Sequence, residues 1–367
     1  MTNTKSNRLL SLDTLRGFDM FWIIGGQSLF LALNAKTEWA WLQSMTTQLH
    51  HAEWEGFHAF DLIFPLFMFI SGVAIPYSVF GKLEKGTQKS QLYLKILRRA
   101  VILIILGMVY NGVLSFEFDN LRVASVLGQI GLAYLIAAII AINPQSFKAI
   151  AIWTTGILVG YGILQLFIPV PGHGAGILTP EGSINGYIDR LFLPGQLYGK
   201  VFDPEGILCT FSASAIILMG TLAGITLRSK STKPYEKITK LTSIGVLLIV
   251  LALVLDNWYP IIKSVWTSTF NLLAGGISFL LLALFYLIID VWQLKRWTFF
   301  FRVIGMNSII IYMATVLIDF RHTSRVVFGG FANIFGDYSA VVLVMGFIFI
   351  EWLFLYFLYK KNVFLKV

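Results

Sequence analysis

The chain has 367 residues, 57% of them hydrophobic and only 13% charged, with a formal net charge of +9. A soluble domain is about a quarter charged, and no single core absorbs this much apolar side chain, so a polytopic membrane protein is the class that remains. The lone Cys209 excludes an internal disulfide and a cysteine zinc site.

The polar opening leads into an apolar run that carries Asp13, Arg16 and Asp19, which is not the pattern of a cleavable signal peptide. Ten segments read as membrane-spanning helices, at about 12–33, 57–80, 97–115, 121–142, 148–169, 206–228, 238–256, 266–290, 298–320 and 338–359. No polar stretch between them is long enough to hold a core of its own. The expectation is therefore an all-α fold, with residues 1–367 as a single transmembrane domain. The connecting loops alternate in charge. One set holds Lys5 and Arg8; Lys82, Lys85, Lys89, Lys95, Arg98 and Arg99; Lys148; Arg228, Lys230, Lys233, Lys237 and Lys240; Lys295 and Arg296; Lys360, Lys361 and Lys366. The opposite set holds only Lys36, Arg122, Arg190, Lys200, Lys263, Arg321 and Arg325. The positive-inside rule then puts both termini in the cytoplasm. It accounts for the basic excess without a nucleic-acid partner. The same orientation places His51 and the long Gly- and Pro-rich loop 170–205 on the outer side, and long loops are where binding concentrates.

Several polar groups are not explained by the bilayer. Asp13 and Arg16 are three apart on a helix, so they pair, or Arg16 meets an anionic ligand from the cytoplasm. His51 lies in the run His51-Ala52-Glu53-Trp54-Glu55-Gly56, where a span meets water and an imidazole can move a proton. Asp61 either caps the second span or orients His51 or a substrate group. His50, His51 and His58 lack metal-ligand spacing, so no metal is expected. Asp203 and Glu205 open the sixth span. They are helix N-terminal acids or they bind a polar substrate. Lys263 holds the same position at the eighth span, and Asn307 is an amide inside the ninth, where it needs partners. Trp54 and Trp266 offer flat faces for sugar rings, or belong to an interfacial aromatic belt.

These motifs, in this order, resemble the heparan-α-glucosaminide N-acetyltransferase family of transmembrane acyltransferases. The resemblance is carried by Arg8-Leu9-Leu10-Ser11-Leu12-Asp13-Thr14-Leu15-Arg16-Gly17, by the His51 run followed by Asp61-Leu62-Ile63-Phe64-Pro65, and by Pro169-Val170-Pro171-Gly172. Gly186-Tyr187-Ile188-Asp189-Arg190-Leu191, Asp203-Pro204-Glu205-Gly206, Lys263-Ser264-Val265-Trp266-Thr267 and Gly305-Met306-Asn307-Ser308 continue it.

The resemblance implies transfer of acetyl from cytoplasmic acetyl-CoA to a glucosamine-type amine, or a sugar hydroxyl, on the far side of the membrane. It makes His51 the catalytic residue, as general base or as acyl carrier. Two departures stand out. Gln27 occupies the place of an active-site asparagine, where its amide faces the developing oxyanion, and Gln129 stands where relatives carry arginine. On this reading Arg16, Arg98, Arg99, Arg122 and Arg302 are the candidates for the CoA phosphates. Asp61, Trp54, Asp203, Glu205, Lys263, Trp266 and Asn307 are those for the acceptor. The expected setting is the cytoplasmic membrane of a bacterium, in the bare ten-span form. The partners are an amino sugar or glycan acceptor and the lipid bilayer, and a homodimer is an assembly this reading allows. A multi-span sugar transporter is the alternative, although the charges lie near span ends and the two halves do not match.

Overall fold

The computed structural model describes residues 9–365. Lys5, Arg8 and Lys366, counted above among the basic residues, lie outside them. α1 (Leu10–Phe21) runs through a π turn at Trp22–Gly26 into α2 (Gln27–Asn34), and α3 (Ala40–Gln48) follows. A 3-10 turn at Ala59–Leu62 opens α4 (Ile63–Val73), which continues through Pro76–Phe80 into α5 (Gly81–Leu83). Then come α6 (Lys89–Tyr110), α7 (Val126–Ile142), α8 (Phe147–Phe167), α9 (Ile184–Phe192), α10 (Ile207–Arg228), α11 (Pro234–Leu255) and α12 (Ser268–Phe285). α13 (Thr298–Met306), α14 (Ser308–Leu317), α15 (Phe320–Asn333) and α16 (Ser339–Lys360) complete the chain. Among the described residues there is no strand, only isolated bridges. The helices start where local chemistry starts them. Ser125 accepts from Gly128 N at the head of α7, Ser183 from Gly186 N at the head of α9, and Pro234 stands at the first turn of α11.

Among the described residues, six stretches are long and apolar enough to cross a bilayer: Ala59–Leu83, Phe147–Phe167, Ile207–Arg228, Pro234–Leu255, Ser268–Val291 and Gly336–Lys360. α13 and α14, bent by 71° at their junction, add a seventh if they count as one span. Each of the ten expected segments holds helix, but the others fall short for visible reasons. The first carries Asp13, Arg16 and Asp19 and is broken at Gly25. α6 carries Lys89, Lys95, Arg98 and Arg99. α7 is 17 residues long.

The chain forms two compact units. The first holds the described residues up to His51, then His58–Ile63, then those from Leu281 onward. In it α1 crosses α13 through a pair of glycines. A Cβ on Gly17 would lie 1.7 Å from the Phe301 carbonyl oxygen, and one on Gly305 would lie 2.2 Å from that of Asp13. No larger residue fits there, because the backbones themselves are in contact. α16 packs alongside, with Trp352 stacked on Phe300 and Tyr356 and its indole N–H donated to the Phe300 carbonyl. The second unit holds Ala52–Phe57 and Phe64–Leu280. Its centre is α10, buried along most of its length and packed on α7 and α8. α4 meets α10 through Gly72 and Gly220, whose added Cβ atoms would each lie 2.0 Å from a carbonyl oxygen of the other helix.

Candidate active site

In the first unit, His51 Nδ1 lies 2.7 Å from Asp61 Oδ1. The His51 side chain is 54% exposed and that of Asp61 is 1% exposed. The other carboxylate oxygen accepts the His58 backbone N–H at 3.0 Å, closing a capping box over the turn that opens α4. The two alternatives open for Asp61 therefore both hold, one on each oxygen. Capping fixes the carboxylate, and the fixed carboxylate fixes the imidazole. A carboxylate at Nδ1 accepts a hydrogen bond from Nδ1–H and so leaves the basic lone pair on Nε2. The Phe60 ring, 5.0 Å from that of His51, limits its rotation further. His58 Nδ1 is engaged with the His50 carbonyl. Gln27, at the head of α2, donates Nε2–H to the Leu49 carbonyl at 2.7 Å, two residues before His51. One amide hydrogen thus ties the broken first helix to the segment that carries the imidazole.

Asp13 and Arg16 pair at 3.4 Å, as their spacing predicts. Arg302 donates to the Tyr359 hydroxyl, and its buried Nε has no partner among the described residues. Asn307 sits at the bend between α13 and α14, 2% exposed, with neither side-chain polar atom hydrogen-bonded. The partners expected for this amide are not supplied by the described residues.

The second unit gathers other predicted residues. Arg122 Nε donates to Asp203 Oδ2 at 2.8 Å, and Nη2 reaches Asp203 and Glu205. The guanidinium lies over the Tyr198 ring, 5.0 Å from its centre. Asp203 is fully buried and also accepts the backbone N–H groups of Tyr198 and Glu205. With two carboxylates on it, the Arg122 charge is already met, which argues against a place for it on a CoA phosphate. Burial pushes the Glu205 carboxyl up, against the pull of Arg122. Gln129 donates to the Pro204 carbonyl, while its own buried Oε1 has no partner among the described residues. Trp54 is half-buried, its indole N–H on the Leu178 carbonyl and its ring edge-on to Phe202. Lys263 is half-buried, and its ammonium acts on Glu205. Trp266 is 1% exposed, held between Phe64 and Phe270 with φ of 47°. Its ring is not presented to solvent. That backbone angle is strained for a bulky residue, and the Trp266 carbonyl is clamped by Ser212 and Asn271. Among the cofactor candidates, Arg98 is exposed. Arg99 lies 4.0 Å over the Tyr134 ring, and its buried Nε has no partner among the described residues.

Two groups escaped the sequence reading of roles. Asp189 is 1% exposed and accepts the backbone N–H groups of Asp203 and Ile207, so Asp189 serves the start of α10 in place of Asp203 and Glu205. Burial pushes its carboxyl up to about 6, against those two hydrogen bonds. Glu351, in α16, is 0% exposed. Its signal was there to find, as the one acid in that apolar run.

The described residues form a helical fold with six stretches able to cross a bilayer, and within it the His51 imidazole sits on the buried Asp61 carboxylate. Two curated proteins are similar over most of the chain. Human heparan-alpha-glucosaminide N-acetyltransferase (Homo sapiens) is 28% identical over 360 residues, covering 83% of this chain and 52% of its own length. The mouse protein of the same name (Mus musculus) is 28% identical over 371 residues, covering 86% and 54%. The chain thus spans about half the length of the curated relatives it matches. No protein-family model matches.

Proposed function

We propose that the chain is a membrane acetyltransferase that moves acetyl from acetyl-CoA to the amine of a glucosamine-type sugar. The observation that carries this reading is the pair of an exposed His51 and a buried Asp61 at 2.7 Å. A capped carboxylate behind a solvent-facing imidazole is how a base is oriented for proton transfer. The names of the similar human and mouse proteins supply the reaction class.

In this reading His51 Nε2 takes a proton from the acceptor nitrogen as that nitrogen attacks the thioester carbonyl. The carbon–sulfur bond then breaks, and the proton leaves on the CoA thiol. General-base assistance of this kind contributes roughly 100- to 10,000-fold. The second route uses the same atom as nucleophile. Nε2 takes the acetyl group, CoA leaves, and the amine then displaces acetyl from the ring. Gln27 has a second amide hydrogen beyond the one on Leu49, and it is offered to the oxyanion. Arg99 or Arg302, each with a buried nitrogen lacking an acceptor among the described residues, is the favoured cation for CoA phosphates, with Arg98 and Arg16 the other candidates. Trp54, Glu205 and Lys263 are the acceptor-side groups in the second unit, where Asp203 holds Arg122 still. Ten spans, cytoplasmic termini and a bacterial inner membrane belong to the same proposal.

The experiment is incubation of the purified protein with labelled acetyl-CoA and glucosamine. Acetylated sugar with equimolar release of CoA is the expected result. Uptake of the sugar into vesicles without consumption of acetyl-CoA would replace the enzyme with a transporter.

A further inference from the structure

Glu351 lies within α16, fully buried, and neither carboxylate oxygen has a hydrogen-bond partner among the described residues. A carboxylate in an apolar helix is costly, and such groups are kept where something uses them. The opposite charge that acts on it is Arg321. That guanidinium lies 5.1 Å over the ring of Phe347, which is one helical turn before Glu351 on the same face. Its Nη2 donates to Ser28 Oγ at 3.1 Å. Ser28 follows Gln27 in the first turn of α2, directly after the break in the first helix.

The break is a pivot. Gly25 has φ of 150°, and Ile348 and Phe347 of α16 fill the space where a side chain on it would go. A π-type backbone bond, from Gln27 N–H to the Trp22 carbonyl, carries α2 across this pivot. Its first residue, Gln27, holds the Leu49 carbonyl and so the segment ahead of His51. All of these groups belong to one compact unit.

We infer that Arg321 and Glu351 are positioning residues for Gln27 and His51: the Arg321 guanidinium, lying over Phe347 on the face of α16 that carries Glu351, bonds Ser28, and that contact sets the angle of α2. The inference rests on the reading of His51 as the reacting group. A displacement of about 1 Å at such a distance from the chemistry costs about 100-fold in rate, so the contact need not touch substrate to matter.

The test uses the full chain with labelled acetyl-CoA and glucosamine, in Arg321→Met, Arg321→Lys, Glu351→Gln, Gln27→Ala and the double variant Arg321→Met with Gln27→Ala. Arg321→Met and Glu351→Gln are expected to lower kcat by about 10- to 100-fold with KM within about twofold. Lysine, which keeps the charge and a donor, recovers part of the loss. The double variant is no slower than Gln27→Ala alone, because Arg321 acts through Gln27. Losses that multiply in the double variant, or an unchanged kcat in Arg321→Met, overturn the inference. Arg321 is exposed, so its variants carry the test if Glu351→Gln does not fold. The rate at which diethyl pyrocarbonate modifies His51, read by peptide mass spectrometry, is followed in the same proteins. If the wild type transfers no acetyl, the enzymatic reading fails. A changed His51 modification rate in Arg321→Met then still upholds the positioning role, and an unchanged rate ends it.

Discussion

At the scale of single residues, the account turns on a carboxylate with two oxygens in two uses. Asp61 receives the His58 backbone N–H on one and His51 on the other. An asparagine can accept on one side only, and its amide N–H₂ then faces either the imidazole or the cap. Asp61→Asn should therefore leave a folded protein with the wrong imidazole tautomer in much of the population. We expect kcat to fall on the order of 100-fold, with acetyl-CoA affinity within about twofold, as read by steady-state kinetics and by equilibrium binding. How legible these residues were differs for physical reasons. His51 and Asp61 stand out in the sequence because a histidine and an acid beside an apolar run need explaining. Their contact does not, since a ten-residue separation across a turn fixes no distance. The Arg122–Asp203 pair joins residues 81 apart, and nothing in either local sequence reports it. Glu351 was plain as a letter, but its complete burial, with neither oxygen hydrogen-bonded among the described residues, shows only in the fold.

At the scale of elements, helix positions were readable and helix ends were less so. The apolar runs predict each helix, yet α1 breaks at Gly25 and the ninth segment breaks at Asn307, where sequence suggests continuous spans. A glycine or an asparagine permits a break; packing from α16, in the case of Gly25, decides it. The start of α10 is a second case. Asp203 and Glu205 have the composition of a helix N-terminus, but Asp189, from another helix, takes the backbone N–H groups there. This makes stability depend on pH. The Asp189 carboxyl is raised from an ordinary 3.8 to about 6, so the folded protein holds that proton more tightly than the unfolded chain. Its stabilisation is complete below about pH 4 and is lost as pH rises through 6, with an upper bound of about 3 kcal/mol. Asp189→Asn removes the titration. The thermal midpoint of the detergent-solubilised variant should change less between pH 5 and pH 7 than that of the wild type. Equal pH slopes in the two proteins would exclude the effect.

At the scale of the whole molecule, composition was enough for a helical membrane protein, because an apolar fraction of 57% has no other home. The number of crossings was harder, since broken and charged helices blur the length rule. Reporter fusions at residues 86, 148, 233 and 295 are expected to report cytoplasm, and fusions within 175–200 the outside; an outside signal at Lys233 would invert the orientation. The chemistry rests on a single imidazole whose neighbours serve as internal controls. His50 meets the His58 ring through its carbonyl, so His50→Ala should keep most of the activity, and His58→Ala a substantial part, because the Asp61 carboxylate bonds the His58 backbone N–H, which alanine keeps. The most direct measurement is acetyl transfer from labelled acetyl-CoA to glucosamine by His51→Ala, beside those two controls, with CoA binding confirming that the protein is folded. The account predicts no transfer above background in His51→Ala and substantial transfer in both controls. A His51→Ala protein that acetylates glucosamine at the wild-type rate would contradict it.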